Sequence, residues 1–448
     1  MSERAALHSR LGEFVAGLTY ESLPSEVVEK VRVNLLHDLS VAMAAHDVTL
    51  PVWDLVTELG PEEATLLCSG ARGPVEMVAF ANAVRMHARA QDDTHFSAKS
   101  HAGSMVIAAT LATAQRLGSS GRDIIPALVA GYEVIGTVGE LLAAQVTERG
   151  FRASSTFGPL GAAASVAKLL ELDATMTANA IAIAMSFSGG LNQTWIDGSS
   201  EWRWELGMAA RNGVLAARLA AGGAAGADHA FEGAAGFAWA FAGETDVVVD
   251  HLALGRRWRI LDVVYKPYPV CNITQSAVAV CSGLATRYDL QPSVIGRVRC
   301  YLNPADHNYP GTINEGPYAD VGATLMSAHF CVAMALRERT ATLKGLSQLS
   351  DPEQLSLIAR IEILPDVNLP VLAARVEIET VDGQTLRDEL IPNNTTYNWS
   401  WKTTCGHVDA LRGEMATGGS GIAALKNALR DLESLATVDA LIDATVTR

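Results

Sequence analysis

The chain has 448 residues, of which 49% are hydrophobic and 19% are charged. This apolar fraction suffices for two or three folded domains and excludes wholesale disorder. The net charge is -15, from 34 Lys and Arg against 49 Asp and Glu, and the sequence contains no Lys/Arg cluster. A nucleic-acid binder or a protein that binds an anionic membrane surface is therefore not expected.

No segment is predicted to cross a membrane. The longest uncharged stretch, 174–196, carries Asn and Gly residues that favour a buried helix followed by a loop. The first residues lack the apolar core of a signal peptide. The six cysteines form no C-x-x-C pair, which disfavours a zinc site and a disulfide scaffold. These features predict a cytoplasmic protein.

Residues up to about 260 predict one helix after another. Between positions 24 and 46 apolar residues recur every four positions, from Val27 to Met43, with Ser25 as the expected N-cap. Small residues are abundant on these segments, and they permit helix axes to approach closely. We therefore expect a tightly packed helical body. Similar patterns occur at 75–90, 104–117, 122–147, 159–170, 174–188 and 207–222.

Beyond residue 260 the pattern changes. Residues 295–302 alternate apolar and polar, as a half-buried strand does, and 358–364 and 373–380 are similar. Asp382 and Gly383 stand between two such runs and indicate a hairpin. The predicted class is mainly α with a smaller α+β domain. Further helices are predicted at 273–287, 322–338 and 420–435. The predicted divisions are an all-helical domain over 1–265, an α+β lid over 266–400 and a helical tail over 401–448 that rejoins the first domain.

Residues 90–104 concentrate Asp and His between two Ala-rich helices. Asp92, Asp93, His95 and His101 fall in this short segment. They suggest the edge of a polar cavity, and convergent Asp and His side chains are also what a metal site requires. The alternative is that the two aspartates cap a helix and His95 is solvated.

Residues 264–271 form the second segment of interest, at the boundary between the helical and mixed regions. Lys266 stands in a loop stiffened by Pro267 and Pro269. Clefts between domains are favoured sites, and a desolvated lysine can lose its proton near neutral pH and act as a base. A surface lysine in a Pro-rich hinge fits the chemistry equally well.

Read together, these segments resemble the MmgE/PrpD family, which includes 2-methylcitrate dehydratase, cis-aconitate decarboxylase and iminodisuccinate epimerase. The resemblance implies a helical large domain built from both chain ends, an α+β lid and a homodimer. It also implies an active site between the domains that needs no metal and no cofactor. Five stretches carry it in order: 35–45 (LLDxLGxAxAG), 91–104 (D-x-D-D-T-H…H-P-G-S), 150–161 (G-F-H-x-T), 207–217 (G-x-A-A) and 266–271 (K-x-Y-P-x-C).

Several positions depart from the residues that the resemblance implies for dehydratases and decarboxylases. An acid, two histidines, a lysine and a tyrosine are among the groups replaced. The departures are Ala90, Arg152, Trp202, Glu205, Gln275 and Phe330. The residues that persist are Asp93, Thr94, His101 and Lys266. Eliminating water or carbon dioxide needs several proton donors and acceptors, whereas epimerisation needs little more than two.

We therefore predict a cofactor-independent epimerase of a small anionic polycarboxylate, with iminodisuccinate as the substrate. Lys266 and His101 are expected to act as acid/base groups on opposite faces of one carbon. Arg152 and Arg203 are expected to bind substrate carboxylates, since guanidinium pairs with carboxylate through two hydrogen bonds.

Asp93 and Thr94 are expected to orient His101 or the substrate. The alternative for Arg152 is a structural salt bridge, and Arg203 has glutamates on both sides that can neutralise it. His95 is expected to make local hydrogen bonds. The alternative functions are a hydro-lyase acting on a 2-methylcitrate-like tricarboxylate and a non-catalytic ligand-binding member of the same fold.

Overall fold

A computed structural model describes residues 6–48, 53, 56, 60–249, 252–393 and 395–447. The architecture is mainly α with a smaller α+β part, which confirms the predicted class. The nine α-helices described before residue 260 are α1 (Leu7–Gly17), α2 (Ser25–Met43), α3 (Val75–His87), α4 (Ala102–Leu117), α5 (Gly121–Glu148), α6 (Ala153–Leu169), α7 (Ala174–Ser186), α8 (Gln193–Asp197) and α9 (Trp202–Ala221).

These helices pack around one large apolar core. We call this core and its helices the body. A Cβ on Gly213 of α9 would lie 2.8 Å from the carbonyl oxygen of Pro159 in α6, so the two helix backbones are almost in contact. The expected N-cap at Ser25 is wrong by one residue, because α2 begins at Ser25 and Pro24 precedes it without a side-chain cap. Helix α5 is long and apolar enough to cross a membrane, but 89% of its most apolar window is buried in the fold.

A second apolar core is built mainly by residues 270–390, and Ala90, Trp195 and Trp202 of the body join it. We call the sheet and helices of 270–390 the lid. Its strands are β5 (Ile295–Leu302), β6 (Ile361–Pro365), β7 (Ala374–Thr380) and β8 (Thr385–Leu390). They are ordered β6-β5-β7-β8, with β5 and β6 parallel and the other pairs antiparallel. The turn between β7 and β8 contains Gly383 at φ 88°, which confirms the predicted hairpin.

Helices pack against one face of this sheet, and further helices follow it in the chain. The stretch expected as one helix over 322–338 is broken at Ser327, whose side chain instead caps the second piece by accepting from the Phe330 N–H. The lid helices are α10 (Gln275–Arg287), α11 (Pro304–His307), α12 (Val321–Met326), α13 (Ala328–Glu338), α14 (Leu343–Leu346) and α15 (Pro352–Ile358). The C-terminal helices are α16 (Trp401–Ala410), α17 (Gly418–Arg430) and α18 (Asp439–Asp443).

The apolar side chains of the C-terminal helices, such as Val408, Leu425 and Leu441, are buried in the core of the body. Chain ends far apart in sequence therefore share one core. The domain limits at 265 and 400 stay a prediction. The structure shows two apolar cores, one containing residues from both chain ends and one built mainly by residues 270–390.

Short ladders complete the body. Strands β1 (Ala64–Thr65) and β2 (Arg72–Gly73) pair with each other, and β3 (Thr94–His95) pairs antiparallel with β4 (Val263–Val264). The second ladder joins the two sequence segments of interest, and it fixes where the site forms.

Candidate active site between body and lid

The β3–β4 ladder places Lys266 beside the acidic segment. Thr94 is paired with Val264, and continuing this antiparallel register by two residues brings Asp92 opposite Lys266. The Lys266 Nζ lies 3.8 Å from Asp92 Oδ1. The Gln91 side-chain amide strengthens the junction by donating to the carbonyl oxygen of Pro267 at 2.9 Å. Pairing across about 170 residues of chain thus creates the contact.

Lys266 is buried among groups that hold its amine in place. Its Nζ donates to the carbonyl oxygen of Ala90 and lies 3.4 Å from Nδ1 of His101. Burial lowers the pKa of Lys266, and the negative charge of Asp92 opposes this only in part. A lysine with a lowered pKa has a larger neutral fraction at physiological pH, which is the form that can accept a proton.

His101 stands on the same wall as Lys266. Its Nδ1 is 3.1 Å from the carbonyl oxygen of Asp93, so the tautomer that fits donates from Nδ1 and leaves Nε2 as the acceptor. Burial, and then the charge of Lys266, keep the pKa of His101 well below its usual value. Bases on opposite faces of one carbon must be separated by about 6–7 Å, twice a reactive contact distance. The measured 3.4 Å joins Lys266 Nζ to His101 Nδ1 and not to the accepting Nε2, so the assignment of the two residues to opposite faces of one carbon stays a prediction.

Asp92 begins a buried chain of polar contacts. Both of its carboxylate oxygens lie 2.9 Å from His87 Nδ1, and Ser104 Oγ also donates to it. His87 Nε2 in turn accepts from Arg152 Nη2 at 2.7 Å. Burial raises the pKa of Asp92, but its contacts with His87, His101 and Lys266 outweigh burial and hold the pKa below its usual range. Burial lowers the pKa of His87 to about 4, so this histidine is neutral.

Two long helices begin at this site. His101 immediately precedes α4, and Arg152 immediately precedes α6. The His101 N–H donates to Ser154 Oγ in the first turn of α6 at 3.1 Å, so the two N-termini are tied together. Helix N-termini carry partial positive charge and unpaired N–H groups, and both features favour anions.

A cavity of about 340 Å³ opens between these residues and the lid. It brings together four of the six residues expected at the site: Lys266, His101, Arg152 and Thr94. The side chains of Asp306 and Tyr309 line it from the lid side. Much of the remaining wall is apolar and comes from Phe96, Trp195, Ile273, Leu325, Met326, Val371 and Leu372.

Arg152 is partly occupied by protein partners. Its Nη1 donates to the carbonyl oxygen of Trp202 and, at 3.1 Å, to Glu205 Oε2. Its Nε–H and the second Nη2 hydrogen have no hydrogen-bond partner among the described residues, so the guanidinium retains donors for a ligand. Both expected roles, substrate contact and salt bridge, are thus compatible with its position.

Arg203 and Asp93 do not line this cavity. Arg203 stacks on the ring of Trp202 and lies 3.7 Å from Asp320, which corrects its expected place beside the substrate. Its neighbour Glu205 neutralises Arg152 instead. Asp93 is wholly buried behind the wall, where its carboxylate accepts from Tyr132 at 2.5 Å; burial raises its pKa to about 6. It contacts His101 through its backbone carbonyl, not through its carboxylate.

Four residues at the site were not among the predicted site residues: His87, Asp92, Asp306 and Tyr309. Asp92 lies within the segment that sequence analysis singled out, and His87 ends the helix before it, so proximity in sequence was a usable signal for both. Tyr309 follows α11 in the lid, and no pattern in the sequence marks it. Its hydroxyl makes no hydrogen bond to a described residue, and burial raises the pKa of the phenol, which keeps it protonated.

The substituted positions have structural roles. The Gln275 amide donates to the carbonyl oxygens of Tyr268 and Val270 at 3.0 and 2.9 Å, which shapes the loop after Lys266. Phe330 is buried in the lid core and does not line the cavity. Ala90 lines the cavity and offers only its carbonyl to Lys266. The side chains that stand at these three positions therefore do not supply the proton donors that the resemblance implies for dehydratases and decarboxylases.

His87, Asp92 and His101 place one potential ligand atom each within 4.8 Å of one another. The surroundings do not suit a cation, because the Lys266 ammonium and the Arg152 guanidinium both contact this group. His87 also has both ring nitrogens engaged in hydrogen bonds. These three residues fit a proton-transfer network better than a metal site.

Comparison with known proteins places this arrangement in a family. The MmgE/PrpD N-terminal domain model matches residues 9–250, which is more than half of the chain. The chain therefore belongs to the MmgE/PrpD family.

Its relatives include enzymes that are named for a lyase reaction. The chain is 25% identical to cis-aconitate decarboxylase of Aspergillus terreus over 426 residues, covering 86% of this chain and 85% of that protein. It is 27% identical to the cis-aconitate decarboxylase-like protein oryM of Aspergillus oryzae over 412 residues, covering 85% of each. It is 24% identical to human cis-aconitate decarboxylase over 431 residues, covering 88% of this chain and 84% of the human protein.

Proposed function

We propose that this protein is an enzyme that removes a proton from a carbon next to a carboxylate in a small polycarboxylate. The observation that carries the proposal is the buried Lys266, whose lowered pKa and position on the cavity wall suit a general base. His101 lies beside it and presents an unprotonated Nε2 as a second acceptor on the same wall.

The same wall suits the charge that develops in the reaction. Loss of an α-proton turns the neighbouring carboxylate into an enediolate with additional negative charge. The free donors of Arg152 and the N-terminus of α6, where Ser154 lines the cavity, lie where they can stabilise this charge. Fixed dipoles and guanidinium groups in a site partly shielded from water are effective because they need little reorganisation.

We propose epimerisation of iminodisuccinate as the particular reaction. Support comes from the reduced set of acid/base side chains at Ala90, Gln275 and Phe330. Because His101 contacts Lys266 on one wall of the cavity, we propose that the proton returns from another residue. Tyr309 is the candidate, because it reaches the cavity from the lid and its raised pKa keeps the proton available for donation.

The test follows one stereoisomer of iminodisuccinate in heavy water. We expect one α-proton to exchange, as seen by NMR, together with a change in optical rotation and no growth of alkene absorbance. Lys266→Met is expected to reduce exchange by about 100-fold or more. Lys402→Met is the matched control, since Lys402 is an exposed lysine on α16. Alkene formation at a catalytic rate by the unsubstituted protein contradicts the epimerase assignment.

Tyr309→Phe separates the two half-reactions. If Lys266 removes the proton and Tyr309 returns one on the other face, the variant still exchanges the proton of one stereoisomer but no longer inverts it. Loss of exchange and inversion in equal measure contradicts this division of roles.

The second candidate function is a lyase acting on a 2-methylcitrate-like or cis-aconitate-like tricarboxylate. The Tyr309 phenol and the Asp306 carboxyl favour it, because they add proton donors that the substituted positions lack. The apolar wall at Ile273, Leu325 and Met326 also suits a methyl branch. Absorbance of an alkene formed or consumed with these acids distinguishes this function from epimerisation.

A non-catalytic ligand-binding protein is the remaining alternative. Under this alternative, the unsubstituted protein and Lys266→Met both bind polycarboxylates, and neither converts them. A homodimeric assembly and a cytoplasmic location also stay predictions, and light scattering after size-exclusion chromatography tests the first of them.

A further inference from the structure

The cavity rim contains a tight turn formed by residues 96–99. His95 and Ser100 close it through two backbone hydrogen bonds of 2.7 and 3.2 Å. Inside the turn, Ala98 is buried directly against Gly139 of α5, where a larger residue would overlap it. The turn is therefore anchored to the body, and its exposed members Phe96 and Lys99 project at the cavity rim.

Lys99 has a backbone conformation that is unfavourable for a lysine. Its φ is 48°, in the left-handed region where glycine and asparagine are common. The two hydrogen bonds that close the turn hold Lys99 in this conformation.

Lys99 is also the cavity cation that has no bonded partner among the described residues. Lys266 donates to Ala90 and faces Asp92, and Arg152 is paired with Glu205. The Lys99 side chain makes neither a hydrogen bond nor an ion pair within 4.0 Å in the described part of the chain. An anion at the rim can therefore bind the Lys99 ammonium without first breaking a direct hydrogen bond or ion pair.

Asp306 lies on the lid side of the same rim. Its Oδ2 accepts from the Leu372 N–H at 2.6 Å, and the side chain is buried. Burial raises the pKa of Asp306 to about 6, and the Leu372 N–H and the charge of Lys99 oppose the rise. Lys99 and Asp306 thus attract each other across the rim without direct contact.

We propose that Lys99 binds the substrate carboxylate farthest from the reacting carbon and that this carboxylate competes with Asp306 for the ammonium. A polycarboxylate would then be held at two points, at the inner wall by Arg152 and the N-terminus of α6 and at the rim by Lys99. This rests on the proposed function only in taking a polycarboxylate as the ligand. It does not depend on whether the reaction is epimerisation or elimination.

Calorimetric titration with tricarballylate tests the proposal without relying on turnover. Lys99→Met is expected to weaken binding about tenfold, and Lys99→Arg to restore most of it, because a charge-assisted hydrogen bond is lost and then replaced. Lys402→Met changes the net charge equally and is expected to leave the affinity unchanged. Asp306→Asn removes the competing charge and is expected to tighten binding, and this gain should vanish in the Lys99→Met background.

Equal affinities of the unsubstituted protein and Lys99→Met overturn the inference while leaving the proposed chemistry at Lys266 intact. Tightening by Asp306→Asn that persists in the Lys99→Met background also overturns it, because Asp306 would then act independently of Lys99. If the unsubstituted protein binds no polycarboxylate, the proposed substrate class itself fails, and the inference fails with it.

Discussion

Replacing Asp92 by Asn probes the proposed base directly. The Asp92 carboxylate lies 3.8 Å from the Lys266 ammonium, and both side chains are fully buried. At an effective dielectric constant of about 20, this separation corresponds to an attraction of about 4 kcal/mol. Asp92→Asn removes this stabilisation of the ammonium, so the pKa of Lys266 falls.

The sign of the effect on the pH profile follows from the role of the base. Lys266 accepts a proton only when neutral, so activity rises with pH through the pKa of Lys266. Lowering that pKa moves the acid limb of the profile to lower pH. If a third of the attraction survives relaxation of the site, the limb moves by about one pH unit, since each unit corresponds to about 1.4 kcal/mol.

The assay is the pH dependence of kcat/KM for α-proton exchange in the unsubstituted protein and in Asp92→Asn. Asp320→Asn is the control, because Asp320 is paired with Arg203 outside the cavity. Asp92→Asn also loses hydrogen bonds from His87 and Ser104, so we expect the unfolding free energy of this variant to fall by about 2–3 kcal/mol. Acid limbs that coincide in a folded Asp92→Asn variant would refute Lys266 as the base.

Three further predictions concern binding and stability. Arg152→Lys is expected to weaken tricarballylate binding about tenfold in calorimetry, because an ammonium cannot match the guanidinium fork, whereas Arg203→Lys should have no effect; equal losses contradict this. Glu133→Gln should gain thermal stability relative to the unsubstituted protein as pH rises from about 5 to 8. A difference in Tm between the two proteins that stays constant over this pH range would contradict the prediction. Burial raises the pKa of Glu133 to about 8, so unfolding of the unsubstituted protein releases a proton across that range and is favoured as pH rises. Gly103→Ala should lower the unfolding free energy by about 2–3 kcal/mol, because the added methyl group overlaps buried carboxylates, whereas Gly406→Ala meets open space; equal denaturant midpoints contradict this reasoning.

The sequence predicted those parts of the fold that depend on local pattern. Apolar spacing located most of the helices of the body, and alternation gave the bounds of β5 as the structure has them. The Asp382-Gly383 pair predicted the hairpin because its turn needs a residue with positive φ. The break at Ser327 was missed, since residues on both sides continue an apolar helical pattern and only the side-chain cap interrupts it.

Local sequence also indicated the site. The density of Asp and His around Asp92 and the Pro-flanked Lys266 marked the two segments that β3 and β4 bring together. Sequence could not say which aspartate would face the lysine, because that depends on the register of a two-residue ladder. One step along the strand turns a side chain to the other face, so Asp92 points to Lys266 and Asp93 into the core.

Tertiary structure alone decided which cations serve the cavity. On a helix each residue is rotated by about 100° from the last, so Arg203 lies outside the cavity although the ring of its neighbour Trp202 packs on His87. Tyr309 and Asp306 join the site only because the lid folds over the body. The sequence by itself determined the elements, the family likeness and the two reactive segments, since these follow from short-range pattern. Strand register and helix rotation, which are set by packing over the whole chain, decided which side chains meet.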